Sequence, residues 1–333
     1  MKRQLLAGIL FSLLCLWLAV RGADLEEVKR ALASARYDVL AWTLVPTMGS
    51  FAIRAWRWRY LLRPVRTVRF GPLFSATMIG FFGNNVLPAR LGELLRAYVV
   101  GQRGGFSRAA ALASIVVERV FDTFLLLAVF AGVLLSHRLP HGIGGWGISL
   151  IVLTFPVYAL LWFFRRRGEP FLALLERWVP VGRREQALQF AKNFRIGLGV
   201  LEDREGMAMS LVLSALMWAS LSLVVSLCFF SLGLDLPPAA AFVVLVVMAV
   251  GTMAPSAPGF VGTLQYAATV GLAVYDVDPS RALSFSVLYH VSQWVPTTVV
   301  GLFCLLREHV DLRVVAPGAR APDGGSTNPD GRK

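Results

Sequence analysis

The chain has 333 residues, 56% of them apolar and 16% charged, with a mean hydropathy of +0.63. Soluble globular chains run about 45–50% apolar and about 25% charged, so this composition excludes a soluble enzyme, a disordered chain and a disulfide scaffold. It describes a polytopic, all-α membrane protein. The net charge of +13 is read as the Lys/Arg bias of cytoplasmic loops, not as a nucleic-acid footprint. Cys15, Cys228 and Cys304 lie in apolar runs without a CxxC, and His137, His141, His290 and His309 show no tight ligand spacing. No metal, cofactor or disulfide framework is therefore expected.

A helix crossing about 30 Å of hydrocarbon needs roughly 20 apolar residues. The first span is read at Gln4–Val20, behind Lys2 and Arg3. A signal peptide is the alternative, but Arg21 spoils the small-residue cleavage pattern. Arg21–Asp38 reads as an interfacial helix and Val39–Ile53 as the second span. Arg54, Arg57, Arg59, Arg63, Arg66 and Arg69 follow, interleaved with Trp56, Trp58 and Tyr60, as a cytoplasmic interfacial belt. Further spans are expected at Ala109–Ser136, Gly142–Phe164, Met207–Leu234 and Ala282–Leu306. The second of these ends in Arg165, Arg166 and Arg167, an inside marker. Residues 165–206 form a polar loop in which Trp178, Phe190 and Phe194 are spaced for amphipathic helices at the membrane surface, against anionic lipids of the cytoplasmic face. From Val314 the composition is that of a disordered cytoplasmic tail.

Two segments are constrained by parity. Residues 70–101 begin and end on the cytoplasmic side, and residues 239–275 begin and end on the outer side, so each enters and leaves on one face. They are expected to be re-entrant helical hairpins of opposite orientation. With the flanking spans they make one domain over residues 1–310, about six transmembrane helices plus two hairpins, both termini cytoplasmic, in an inverted-repeat architecture. Such transporter plans place the site where the broken helices meet.

The first break holds Gly83, Asn84, Asn85 and Pro88, and non-helical backbone at membrane depth must be buried in protein or line a wet cavity. Arg90, Glu93 and Arg96 recur every three residues on one face of the following arm. Such a face can grip a phosphate; alternatively its charges snorkel into headgroups. Glu118, Arg119 and Asp122 sit mid-span, at spacings that let them pair with one another. They are read either as a buried clamp or as part of a pathway, since intramembrane charges are costly and usually paired. The second break holds Pro255, Pro258, Gly259 and Gly262, then Gln265 and Tyr266, and a helix starting near Gly262 would aim its N–H groups inward at an anion. In the last span His290, Gln293 and Trp294 share a face, with Pro296 just beyond. His290 reads first as a packing residue, with a proton role as the alternative.

The run Asn85, Pro88, Arg90, Gly92, Glu93 and Arg96, then Glu118, Arg119 and Asp122, then Pro255, Pro258, Gly259 and Gly262, resembles the flippase-like membrane domain of lysylphosphatidylglycerol synthases and of stand-alone bacterial and archaeal proteins. The resemblance covers roughly residues 1–310. It implies movement of a lipid between leaflets, with the polar groups of the two hairpins handling a headgroup. It also implies that the soluble aminoacyl-transferring domain is lacking here, so the chain is expected to be a flippase and not an enzyme. Gln265 stands where the family often has a carboxylate, which weakens a cationic, lysyl-type headgroup and proton coupling at that point.

The expected function is thus translocation of a phospholipid or lipid-linked glycolipid intermediate. Arg90, Arg96 and Arg119 would engage the phosphate; Glu93, Glu118 and Asp122 would orient them; Asn84, Asn85, Gln265 and Tyr266 would complete the site. Two rivals are a membrane-embedded transferase acting on polyprenyl-phosphate substrates and a small-solute or ion transporter. A non-transporting anchor or partner subunit is a third.

Overall fold

The computed structural model describes residues 2–87, 91–136, 156–254 and 256–310. The described residues form helices and their connections, without strands. Pro88, Arg90 and Pro255, much of the Gly142–Phe164 span and the tail from Val314 lie outside them.

The order is α1 (Lys2–Val20), α2 (Leu25–Ala33), α3 (Tyr37–Trp42), α4 (Leu44–Leu62), α5 (Phe70–Val86), α6 (Gly92–Gly104) and α7 (Arg108–Ser136). After these come α8 (residues 156–166), α9 (Glu169–Trp178), α10 (Val181–Gly197), α11 (Arg204–Ser231), α12 (Pro238–Gly251), α13 (Thr263–Ala273) and α14 (Pro279–Arg307). Among the described helices α11 alone is long and apolar enough by itself to cross a membrane, with a mean hydropathy of 2.2. The α1–α2 pair joins it if counted as one span, although the two helices meet at 84°. Helices α4 and α7 have span length but carry Arg54, Arg57 and Arg59, and Glu118, Arg119 and Asp122, respectively.

Local chemistry sets several ends. Asp24 caps α2 by accepting from the Glu26 N–H at 2.8 Å, and Glu26 and Glu27 occupy its first turn, where the helix dipole favours anions. Asp203 caps α11 through the Gly206 N–H, and Asp278 caps α14 through the Ser280 N–H, in front of Pro279. Pro296 lies inside α14, where it lacks the N–H of an ordinary helical residue.

Two helical hairpins, α5–α6 and α12–α13, flank the extensive α4–α11 contact. Helices α5 and α6 close against each other through glycines: a Cβ at Gly83 would stand 2.9 Å from the Gly92 Cα, and one at Gly92 would run into the Gly80 carbonyl oxygen. Helices α12 and α13 pair through Gly251 against Ala267 and Gly271 against Val244. Small residues of this kind let helix backbones approach where apolar burial alone gives no drive. The arms run 17 and 13 residues in the first hairpin and 14 and 11 in the second. At 1.5 Å per residue each falls short of about 30 Å. Gly92→Val is expected to destabilise the protein by about 1–3 kcal/mol through overpacking, read as a lower thermal unfolding midpoint in detergent.

Each hairpin belongs to its own apolar cluster. One gathers Trp58, Leu61, Leu73, Ile79 and Leu95 with Val117 and Leu198; the other gathers Val224, Val244, Ala268 and Phe285. Helix α1 covers the second break. Its Ser12 hydroxyl accepts from the Ala257 N–H at 2.8 Å. Gly259 (φ 71°), Phe260 (φ 61°) and Gly262 (φ 89°) carry the chain through this break in left-handed conformations.

Candidate functional site

Three helices bring charge together. From α4 come Arg54 and Arg57, from α6 Glu93 and Arg96, and from α7 Glu118, Arg119 and Asp122. Glu118 is fully buried and is the hub. Its Oε1 lies 3.0 Å from Arg54, 3.1 Å from Arg57 and 2.8 Å from Arg119, while its Oε2 lies 2.9 Å from Arg96. Asp122 takes a short contact from Arg57 and a 3.3 Å contact from Arg54. Arg57 also donates to the Ser214 hydroxyl at 2.6 Å, which ties α11 to the cluster. The Arg96 guanidinium stacks 3.7 Å over the Trp58 ring, and the Trp58 indole N–H donates to Ser114 at 2.9 Å.

The cluster has a closed side and an open side. Arg57, Arg96 and Glu118 are essentially without solvent contact, whereas the Arg119 side chain is 41% exposed and Glu93 23%. Arg54 and Asp122 sit between, at 11% and 12%. Among the described residues four guanidiniums thus face three carboxylates, and one positive charge is left over. The excess lies toward the exposed Arg119, so an anion arriving at the Arg119–Arg54 side would complete the balance. Charge-assisted bonds from two forked guanidiniums suit a phosphate.

Beside Arg54 opens a cavity of ≈ 250 Å³ between the two hairpins, lined by Asn85, Trp218, His290, Gln293, Trp294 and Thr297 among others. The tips of the hairpins meet at its edge: a Cβ at Gly259 would stand 3.5 Å from the Asn85 carbonyl oxygen and 3.0 Å from the Trp294 indole nitrogen. Asn85 donates to the Thr298 hydroxyl at 2.9 Å, and Gln293 donates to the Thr47 hydroxyl at 2.6 Å.

The residues singled out in the sequence therefore separate into groups. Glu93, Arg96, Glu118, Arg119 and Asp122 come together, and Asn85, Gly259, His290, Gln293 and Trp294 meet around the cavity. Arg96 lies on the closed side, gripping Glu118 and Trp58, and does not face the opening. Asn84 is buried at the α5–α6 crossing, close to Gly92. Gln265 is buried as well: its Oε1 accepts from the Gly262 N–H at 2.7 Å and its Nε2 lies 2.8 Å from His290 Nδ1. It caps α13 and positions His290. Tyr266 is 37% exposed on the outer face of α13 and does not line the cavity.

Arg54, Arg57 and Trp58 are the residues that sequence reasoning misplaced. The interfacial belt is corrected by helix α4, which runs on to Leu62 and turns these three side chains inward. Trp56, by contrast, is 45% exposed, as a belt residue should be. The spacing held the signal, since 54, 57, 58 and 61 fall on one helical face, and Glu118 with Asp122 required cations from another helix.

A helical membrane protein built around a buried Arg–carboxylate cluster is what fold and site define. The chain belongs to the family described as the lysylphosphatidylglycerol synthase TM region, whose model matches residues 5–301. It is 28% identical, over 92% of its length, to a protein of Haloferax volcanii named Glycosyltransferase AglD, and spans about 55% of that relative. It is also 24% identical over 84% of its length to a UPF0104 membrane protein of Methanothermobacter thermautotrophicus, covering 86% of it. A UPF0104 membrane protein of Methanocaldococcus jannaschii is 23% identical over 66% of this chain. No solved structure matches. The similarity to a protein named as a glycosyltransferase overturns the expectation that the chain is not an enzyme.

Proposed function

We propose that the chain is a membrane-embedded transferase-type protein that works on a polyprenyl-phosphate-linked substrate. The observation that carries this reading is the one positive charge in excess at the Arg54–Arg119 side of the cluster, next to a cavity between the hairpins. The relative named as a glycosyltransferase supports it. In such a reaction the bond between the sugar carbon and the phosphate oxygen breaks, and an acceptor hydroxyl oxygen bonds to that carbon. The lipid phosphate leaves as an anion, which Arg119 and Arg54 stabilise as charge develops. The acceptor's proton passes to a carboxylate, and Glu93, the most exposed of the three, is positioned to take it. Arg57 and Arg96 hold Glu118 and Asp122 in place.

The test uses the purified chain in nanodiscs, a radiolabelled polyprenyl-phosphate sugar and an extract of the host's lipids as acceptors. A labelled product that disappears with Glu93→Gln is the expected result. Absence of product from any acceptor, with folding verified, would contradict the transferase reading.

Transbilayer movement of the same lipid is a second reading, favoured by the meeting of the two hairpin tips and by arms too short to span. Here about six spans carry two opposed re-entrant hairpins, with both termini cytoplasmic. Arg166, Arg177 and Arg184 beside exposed Trp178 and Phe190 on α8–α10 then rest on anionic headgroups. Protein-dependent exposure of a lipid to an impermeant reagent in liposomes, without covalent change, would select this reading over the first.

A further inference from the structure

The cavity beside Arg54 has a chemistry of its own. Its described lining contains no carboxylate, and Arg54 is its one Arg or Lys. The other polar groups carry no fixed charge: the Asn85 and Gln293 amides, the Ser50, Thr252, Thr297 and Tyr289 hydroxyls, the His290 ring and the indoles of Trp218 and Trp294.

The space decides the size of that ligand. At about 30 Å³ per water in the liquid, the ≈ 250 Å³ cavity holds roughly eight waters, the room of a single sugar ring. It is smaller than the roughly 300–1,000 Å³ of drug-sized sites. Amides and hydroxyls match a ring of hydroxyl groups, and an indole face packs against its C–H side. A cationic headgroup would instead meet Arg54 with no carboxylate in the described lining to balance it.

We propose that this cavity binds a neutral monosaccharide carried on the phosphate held by Arg54 and Arg119. This rests on the lipid-phosphate reading above and adds to it the substrate's headgroup class. Trp294 and Gln293 contact the sugar.

The full chain in nanodiscs is titrated with four probes: citronellyl phosphate, citronellyl-phosphoryl-hexose, soluble hexose 1-phosphate and a lysyl-phosphatidylglycerol of matched chain length. The sugar lipid is expected to bind about tenfold more tightly than the bare lipid phosphate, the worth of one or two net hydrogen bonds. Trp294→Ala should bring the sugar lipid down to the affinity of the bare one, and Trp294→Phe should restore part of the difference. Equal affinity of the two citronellyl probes, or preference for the lysyl lipid, would overturn the sugar site while leaving phosphate binding standing. Failure of both citronellyl probes to bind would overturn the lipid-phosphate reading itself. Equal binding by soluble hexose 1-phosphate and the sugar lipid would keep the sugar site and overturn the lipid carrier.

Discussion

Glu118→Ala is expected to remove about 3–5 kcal/mol of stability, enough to leave little folded protein in detergent. The carboxylate lies within 3.1 Å of all four guanidiniums, and three of them have almost no contact with water. Without it, among the described residues Arg96 keeps only the Trp58 ring, and Arg57 keeps only Asp122 and Ser214. The penalty arises from stranding charges already paid for by pairing, not from the strength of any one bridge. Glu118→Gln keeps the shape and an acceptor oxygen, so its unfolding midpoint should fall between those of wild type and Glu118→Ala. Breaking the exposed Lys29–Glu26 pair should leave the midpoint unchanged, as is usual for surface bridges. Thermal unfolding followed by size-exclusion chromatography checks the series. A Glu118→Ala protein as stable as wild type would show that the cluster does not hold α4, α6 and α7 together.

Arg119→Ala carries the largest expected effect on activity. Its guanidinium is the most exposed of the four, so its removal strands little buried charge and the fold should survive. In the proposed site it nevertheless supplies half of the open grip on the phosphate. Loss of one donor aimed at developing negative charge costs about 10²–10³ in rate, so turnover of a polyprenyl-phosphate substrate should fall at least about 100-fold. Arg119→Lys should recover only part of this, because an ammonium keeps the charge but not the planar fork. Arg63→Ala serves as a control: Arg63 pairs with Glu205 away from the cluster and should leave turnover unchanged. Steady-state kinetics on proteins with matched unfolding midpoints checks the set.

The sequence carried the helical class, because composition and apolar run length depend only on residue type. It also carried the second break, since Pro258, Gly259 and Gly262 act locally on the backbone; Gly83, read as a break, instead lies inside α5 and serves its contact with Gly92. Glu118, Arg119 and Asp122 stood out because charge in the middle of an apolar run has no local explanation. Partners across helices were far less legible. Arg54 and Arg57 are 64 and 65 residues from their carboxylates, and in sequence they merge with Arg59 and Arg63 into what looks like a surface belt. Only the rotation of α4, about 100° per residue, separates the inward arginines from the outward ones. Gln265 was hidden for a related reason. Its amide is spent on the Gly262 N–H and on His290, a local cap that sequence alone cannot tell from a ligand-facing group.

The central claim is that the Arg54–Arg119 side of the cluster takes a lipid phosphate, and direct binding tests it. Citronellyl phosphate and the uncharged citronellol are titrated into the purified chain in nanodiscs, wild type beside the Arg54→Ala/Arg119→Ala double variant. Saturable binding of the phosphate alone is expected, weakened at least tenfold in the double variant. Equal binding of the phosphate and the alcohol, or of the phosphate to both proteins, would contradict it.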